Sequence, residues 1–193
     1  METILSIFVG VGLAAAAGFR VFVPLLVVSL AARAGLHLSQ DFAWIASTPA
    51  LIAFTAATVA EVAAYYVPFI DNLLDAIMSP LAVVAGTILT AAVVADVDPL
   101  FKWTLAIIAG GGMAGLVQAK TVMVRGASSV ATAGLANPIV STVELGSAVT
   151  TSAMLVLMPI IAALVVLAVL LWILRGGRAA TVSRSAPPDG APV

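Results

Sequence analysis

The stretch Ile4–Ala32 (ILSIFVGVGLAAAAGFRVFVPLLVVSLAA) decides the fold, because it is a long apolar run that carries one charge, Arg20, near its middle. An ionisable side chain in hydrocarbon costs about 2.5–3.5 kcal/mol on insertion scales, so it persists only where it faces protein or water and has a partner. As one straight helix the run would be about 43 Å long, against a hydrocarbon core of about 30 Å, yet it is too short for two full spans. Because Gly18 and Pro24 flank the arginine, the sequence predicts a tilted or broken helix.

The composition of the whole chain indicates an integral membrane protein. Of its 193 residues 63% are hydrophobic and 9% are charged, and the mean hydropathy is +1.22, whereas soluble domains carry about a quarter charged residues. The net charge of −1 and the lack of a basic patch give no basis for nucleic-acid binding. With no cysteine and His37 as the one histidine, the sequence offers neither disulfides nor a His/Cys zinc site. We expect the lipid bilayer as partner and no cofactor or metal.

Six apolar segments follow one another, and prolines mark most of their starts. A capping side chain precedes the proline at Thr48-Pro49, Ser79-Pro80, Asp98-Pro99 and Asn137-Pro138. Proline suits the first helical position, where the backbone N–H is unpaired anyway. The first run lacks a basic start and is longer than a signal-peptide core, so we expect it to be retained. The sequence predicts an all-α polytopic membrane bundle of about six segments, some broken or re-entrant, at 3–33, 48–67, 80–97, 99–120, 138–157 and 159–175.

The connections between these segments are predicted as follows. Met158-Pro159 fits either a new helix start or a kink in one long helix. Pro68–Ser79 is expected to be a short amphipathic link, and Arg125–Asn137 (RGASSVATAGLAN) a loop or a re-entrant segment. The transmembrane domain is predicted at 1–175, and residues 176–193, rich in Gly, Pro and Ser, as a disordered tail.

The membrane domain also divides into two sets of three segments, 1–97 and 98–175. The stretch Gly12–Arg20 compares with Gly112–Lys120 at an offset of 100, and each set has a glutamate on its second segment. Three spans per unit would make the halves inverted repeats, an arrangement common in transporters. Small residues and prolines are abundant in any membrane chain, so chance similarity remains the alternative.

Lysine and arginine in the loops predict the orientation. Six spans place both termini on one side, which would hold Lys120, Arg125, Arg175, Arg178 and Arg184, against Arg33 and Lys102 on the other side. Five basic residues against two, or four against two where Lys120 lies within the membrane, favour cytoplasmic termini, in a multi-pass protein of the inner (plasma) membrane.

The charged residues of the apolar segments are the candidate site. Two bases, Arg20 and Lys120, and two acids, Glu61 and Glu144, could neutralise one another within the bundle, with Arg125 as a fifth member. The pairs could be structural and hold the helices in register. They could equally form a polar pathway whose pairs exchange with an ion or a proton.

Four further residues extend this candidate site. Asn137, Ser141 and Glu144 are spaced by four and three, on one helical face, and could line a hydrated cavity. Asp71 and Asp75 lie four apart in the link and could bind a cation, although a solvated face is the commoner outcome. The predicted pathway residues are Arg20, Glu61, Lys120, Arg125, Asn137, Ser141 and Glu144.

Glycines and missing motifs complete the sequence evidence. The Gly111-x-x-x-Gly115 spacing permits close helix contact, either within one chain or in a homodimer. The sequence has no HExxH, GxSxG or cysteine nucleophile, so we expect no enzyme, and an intramembrane carboxylate pair doing acid–base chemistry ranks third among the functions.

Three stretches carry a family resemblance: Gly18–Leu26 (GFRVFVPLL), Glu61–Asp75 (EVAAYYVPFIDNLLD) and Lys120–Glu144 with its NPIVSTVE end. The chain resembles a bacterial multi-pass membrane family known as domain of unknown function four-one-two-six. The resemblance covers nearly all of the chain except the tail and singles out Arg20, Glu61, Pro68, Asp71, Asp75, Lys120, Arg125, Asn137, Ser141 and Glu144. Members often have an Asp shortly after the first glutamate and another after the last one, where this chain has Val62–Val67 and Leu145. The resemblance implies no activity.

Together these observations favour a small transporter or channel for an ion or a small polar solute, with the buried charges as its site. The alternative is a non-transporting membrane scaffold or assembly partner, in which buried ion pairs only specify the fold.

Overall fold

The computed structural model describes residues 2–67 and 70–158, with the side chains of residues 2, 71 and 72 left out. All regular elements in these ranges are helical, as the sequence predicts. A 3₁₀ helix, Gln40–Ala46, precedes α3, and a π-helical turn, Ala106–Gly111, joins α5 to α6. The α-helices are α1 Glu2–Phe19, α2 Phe22–Arg33, α3 Thr48–Tyr65, α4 Ile70–Val93, α5 Pro99–Leu105, α6 Gly112–Thr132 and α7 Asn137–Met158.

Four helical stretches are long and apolar enough to cross a membrane. They are Thr48–Tyr65, Leu73–Val93, Pro99–Thr132 and Asn137–Met158, while α1 and α2 are shorter. Less than a third of each stretch is buried inside the protein, apart from Leu73–Val93, which is half buried. Apolar helices with exposed faces fit contact with lipid, so the protein is a helical membrane protein.

Helices α1 and α2 form a hairpin that turns at Arg20. Gly10 of α1 packs on Thr90, near the end of α4. After α2, the backbone N–H of Ser39 donates to the carbonyl of Ala92, also at that end, at 2.8 Å. The chain therefore enters along α1 and returns along α2, which is about 18 Å long. The break is where the sequence predicts it, and the chain turns back there; that 3–33 crosses the membrane stays a prediction.

This hairpin also affects the predicted orientation. The count of basic residues assumed that 3–33 carries the chain from one side to the other. In the structure Gly10 of α1 and Ser39 after α2 both lie against the end of α4, a geometry that would return the chain to its starting side. The orientation of the termini stays a prediction.

Two predicted boundaries are wrong, for the same physical reason. Pro80 lies inside α4, so the predicted link before it is the first part of that helix. Likewise α6 continues through Thr132, where a loop was predicted. Each stretch contributes one side chain to a buried ion pair, Asp75 from the predicted link and Arg125 from the predicted loop, and tertiary contacts of this kind override local propensity.

Helix α5, the π-helical turn and α6 form one continuous helical stretch, Pro99–Thr132, which we call the α5–α6 rod. Close packing of small residues joins it to α1 and α4. A Cβ at Gly86 of α4 would lie 2.6 Å from the Cβ of Ala114 and 2.9 Å from the carbonyl oxygen of Gly110. Gly111 faces Thr87 of α4 in the same way. The glycines of the rod thus pack within one chain, and a homodimer through this helix stays a prediction.

Some predictions lie outside the described residues: the segment 159–175, the tail 176–193 and the side chain of Asp71. The division into halves also stays a prediction. The stretch 12–20 ends at a helix break, whereas 112–120 lies within the continuous α6, so the two matched stretches differ in local structure.

Candidate functional site

Six side chains from five parts of the chain meet beside the hairpin turn. We call them the buried charge cluster: Arg20 from the turn, Glu61 and Tyr65 from α3, Asp75 from α4, Arg125 from α6 and Glu144 from α7. Each exposes 6% of its surface or less. The cluster lies towards the end of the bundle where α3 and α6 end and α4 and α7 begin.

Glu144 joins the two arginines. Its Oε2 atom accepts a hydrogen bond from Nη2 of Arg125 and lies 3.3 Å from Nη2 of Arg20. Arg125 also donates through Nη1 to Oδ1 of Asp75 at 2.7 Å. Arg20 Nη2 donates to the backbone carbonyl of Ser141 at 3.0 Å. Charge-assisted bonds of this kind are stronger than neutral ones, and here they tie the hairpin turn to α4, α6 and α7.

The ring of Tyr65 contacts both guanidinium groups. The Cζ atom of Arg20 lies 3.9 Å from the ring centroid and that of Arg125 lies 4.2 Å from it. Cations are attracted to the face of an aromatic ring, most strongly where water is excluded. The phenol O–H donates to Oδ1 of Asp75 at 3.0 Å. Tyr65 therefore helps to hold two like charges in one buried place.

Glu61 caps the second half of the hairpin. Its Oε1 atom accepts from the backbone N–H of Val21 at 2.8 Å, and its Oε2 atom accepts from that of Phe22 at 3.0 Å. The first N–H groups of a helix lack internal partners and carry partial positive charge, so a carboxylate there is favourable. Val21 offers no side-chain cap of its own. A carboxylate from α3 thus stabilises the break between α1 and α2.

Several polar atoms of the cluster have no hydrogen-bond partner among the described residues. They are Nε and Nη1 of Arg20, Nε of Arg125 and Oε1 of Glu144. Buried polar groups are nearly always hydrogen-bonded, because leaving one unpaired costs about 1–3 kcal/mol. The cluster therefore offers three guanidinium nitrogens and one carboxylate oxygen that no described residue uses.

The structure brings together most of the predicted site residues. Arg20, Glu61, Arg125 and Glu144 are in the cluster, and Ser141 donates to the carbonyl of Tyr65 at 3.3 Å. Asn137 is buried on the same face of α7 and donates to the hydroxyl of Ser129 at 2.9 Å.

Two predicted assignments are wrong. Lys120 is exposed and lies outside the cluster. It lies about 140° around α6 from Arg125, and the buried face of that helix runs through Ala114, Gln118, Thr121 and Arg125. Asp75, assigned to a solvated link, is 6% exposed and paired with Arg125.

Tyr65 was missed by the sequence analysis. It follows Glu61 by four residues, and this helical spacing puts both on one face of α3. The spacing could have identified it as a neighbour of the acid.

A second ion pair lies away from the cluster. Nζ of Lys102, at the start of the α5–α6 rod, donates to Oδ2 of Asp41 at 2.8 Å and to the hydroxyl of Ser39 at 3.0 Å. The side chain of Asp41 is 69% exposed. This pair holds the loop after α2 against α5, and it supplies a matched control for experiments on the cluster.

Comparison with known proteins gives a family. Residues 7–178 match the family described as Domain of unknown function (DUF4126), and the chain belongs to it. Nothing among curated proteins or solved structures matches the chain significantly. Among the described residues, no group of three or more His, Cys, Asp or Glu side chains could hold a metal ion.

Proposed function

Starting from a family without an assigned activity, we propose that this protein is a small transporter or channel for an ion or a small polar solute. The buried charge cluster is its binding site.

The hairpin supports this proposal. Backbone that breaks its helix at membrane depth is tolerated only where protein or a water-filled cavity surrounds it. Transporters use such discontinuous helices to present a helix end to the substrate site. Here α1 and α2 place Arg20 and the N-terminus of α2 beside acids from α3 and α7.

The proposal is carried by atoms of Arg20, Arg125 and Glu144 that have no hydrogen-bond partner in the described part of the chain. Unpaired polar atoms of this kind do not stabilise a fold, because each one is desolvated without a hydrogen bond. Apolar side chains in place of a buried ion pair are often neutral or stabilising, so a purely structural role does not require these charges. Intramembrane charges typically mark pathways for ions and protons. Hydrogen-bond donors and an acceptor that are available in one buried site suit the reversible binding of an ion or a small polar solute.

The test is flux into liposomes that contain the purified full-length chain. Osmotic shock with a panel of small salts and neutral solutes, followed by light scattering, should show uptake above empty liposomes for at least one of them. Arg20→Gln should lower this uptake at least tenfold, whereas Lys120→Gln, on the exposed face of α6, should leave it unchanged. Size-exclusion profiles check that each variant is folded. A folded wild-type protein without flux for any solute contradicts the proposal and favours the scaffold.

We also propose a plasma-membrane location, and the topology can be mapped there because the chain has no cysteine. Single cysteines at Thr3, at His37 and at Leu135, all exposed, can be labelled in intact cells with an impermeant maleimide. We expect Thr3→Cys and His37→Cys to label alike, since the hairpin returns to its starting side, and Leu135→Cys to behave oppositely. Opposite labelling of positions 3 and 37 would show that 3–33 crosses.

A further inference from the structure

The carboxylate of Glu144 lies between two guanidinium groups, where a small anion from solution could bind in its place. Its Oε2 atom accepts a hydrogen bond from Arg125 and forms an ion pair with Arg20, while its other oxygen, Oε1, has no partner among the described residues. Three guanidinium nitrogens of the same cluster, two on Arg20 and one on Arg125, are also without partners among the described residues. A position for a proton and donors for a second anion are therefore present in one site.

The charges around Glu144 decide what can enter. The facing groups are the other members of the cluster, Arg20, Glu61, Tyr65, Asp75 and Arg125. Glu61 is held by the N-terminus of α2, and Tyr65 is an uncharged donor to Asp75. The two guanidinium groups are balanced by the carboxylates of Asp75 and Glu144, while the third carboxylate, that of Glu61, faces the positive end of α2. A cation alone or an anion alone would leave a net buried charge, which is costly in a membrane.

We infer that the cluster takes up a small monovalent anion together with one proton, with Glu144 as the proton carrier. This inference rests on the proposed function, since it names the substrate class of the same site. A proton from the aqueous phase bonds Oε1 of Glu144, and the neutral carboxylic acid loses its attraction to the arginines. The anion then accepts hydrogen bonds from the guanidinium groups in place of the Glu144 carboxylate. One positive and one negative charge enter together, so the buried charge is unchanged.

Binding can be measured without transport, in detergent, with formate and chloride as probes. Formate is the smallest carboxylate, so a site that Glu144 fills and that accepts exchangeable anions must accept it. Calorimetric titration of the wild-type protein with sodium formate, at constant ionic strength with sodium gluconate, should show saturable binding. In weakly buffered solution about one proton should be taken up per formate bound. Affinity should then rise up to about tenfold for each unit that pH falls while the free site is ionised.

Glu144→Gln mimics the protonated acid and provides the decisive contrast. It should bind formate without proton uptake and with an affinity independent of pH. Asp41→Asn, which alters the ion pair outside the cluster, should behave like the wild type. Wild-type protein that binds neither formate nor chloride, or binds them without taking up a proton, overturns the inference, and this result does not require any variant to fold.

The outcomes for the two proposals are distinguishable. Anion binding with proton uptake but no flux in liposomes would leave this site assignment intact and refute transport. Flux of a solute without coupled anion and proton binding would support transport and refute the assignment.

Discussion

Arg125→Met is expected to lower the free energy of unfolding by about 3–5 kcal/mol, whereas Lys120→Met, five residues earlier on α6, should change it by less than about 1 kcal/mol. Arg125 is 1% exposed and bonds Asp75 and Glu144. Removing one partner of a buried ion pair leaves an uncompensated charge, and this typically costs about 3–5 kcal/mol. Lys120 is exposed, so its ammonium group loses no buried partner. Reversible unfolding in mixed detergent, followed by circular dichroism, measures both values.

A double variant sharpens this comparison. Asp75→Asn alone removes the carboxylate that Arg125 bonds at 2.7 Å. If the two side chains act as a pair, the cost of Arg125→Met in the Asp75→Asn background should be smaller than in the wild type, because the interaction is already lost. Equal effects of Arg125→Met and Lys120→Met, or fully additive effects with Asp75→Asn, would contradict the cluster geometry.

The choice between Lys120 and Arg125 also shows where sequence reasoning stops. Both are cations on one apolar helix, and the offset of 100 residues between Arg20 and Lys120 favoured the wrong one. Which face of α6 is buried depends on how close the glycines of the rod let it approach α4, and a single sequence does not contain that distance. The acids were easier to identify, because a glutamate in an apolar helix must face protein or water wherever the helix packs.

The geometry of the hairpin could likewise be predicted only in part from the sequence. Gly18, Arg20 and Pro24 predict a break, and the break is found at Arg20. Whether the chain then continues or turns back is decided elsewhere, by the carboxylate of Glu61 that caps α2. Local sequence thus gives the position of a break, while its angle depends on a partner 40 residues away. Pro80 is the converse case, a proline that packing keeps inside α4.

The second large effect is expected at Gly86. An added Cβ there would lie 2.6 Å from the Cβ of Ala114, 2.9 Å from the carbonyl oxygen of Gly110 and 3.1 Å from the Cβ of Ala14. None of these is the end of a flexible side chain, so α4 must move away from α1 and the α5–α6 rod together. We expect Gly86→Ala to destabilise the protein by about 1–3 kcal/mol, the usual range for overpacking.

Gly112→Ala is the matched control, since an added Cβ at this helical glycine meets nothing within 4 Å. Alanine is the better helix former, so this variant should be neutral or more stable by about 0.5–1 kcal/mol. The contrast separates packing from propensity, because both variants make the same chemical change in an apolar helix. Moving α4 would also shift Asp75 relative to Arg125, so Gly86→Ala should weaken formate binding although Gly86 lies outside the cluster. If Gly86→Ala is as stable as Gly112→Ala, the close approach of α1, α4 and the rod is refuted.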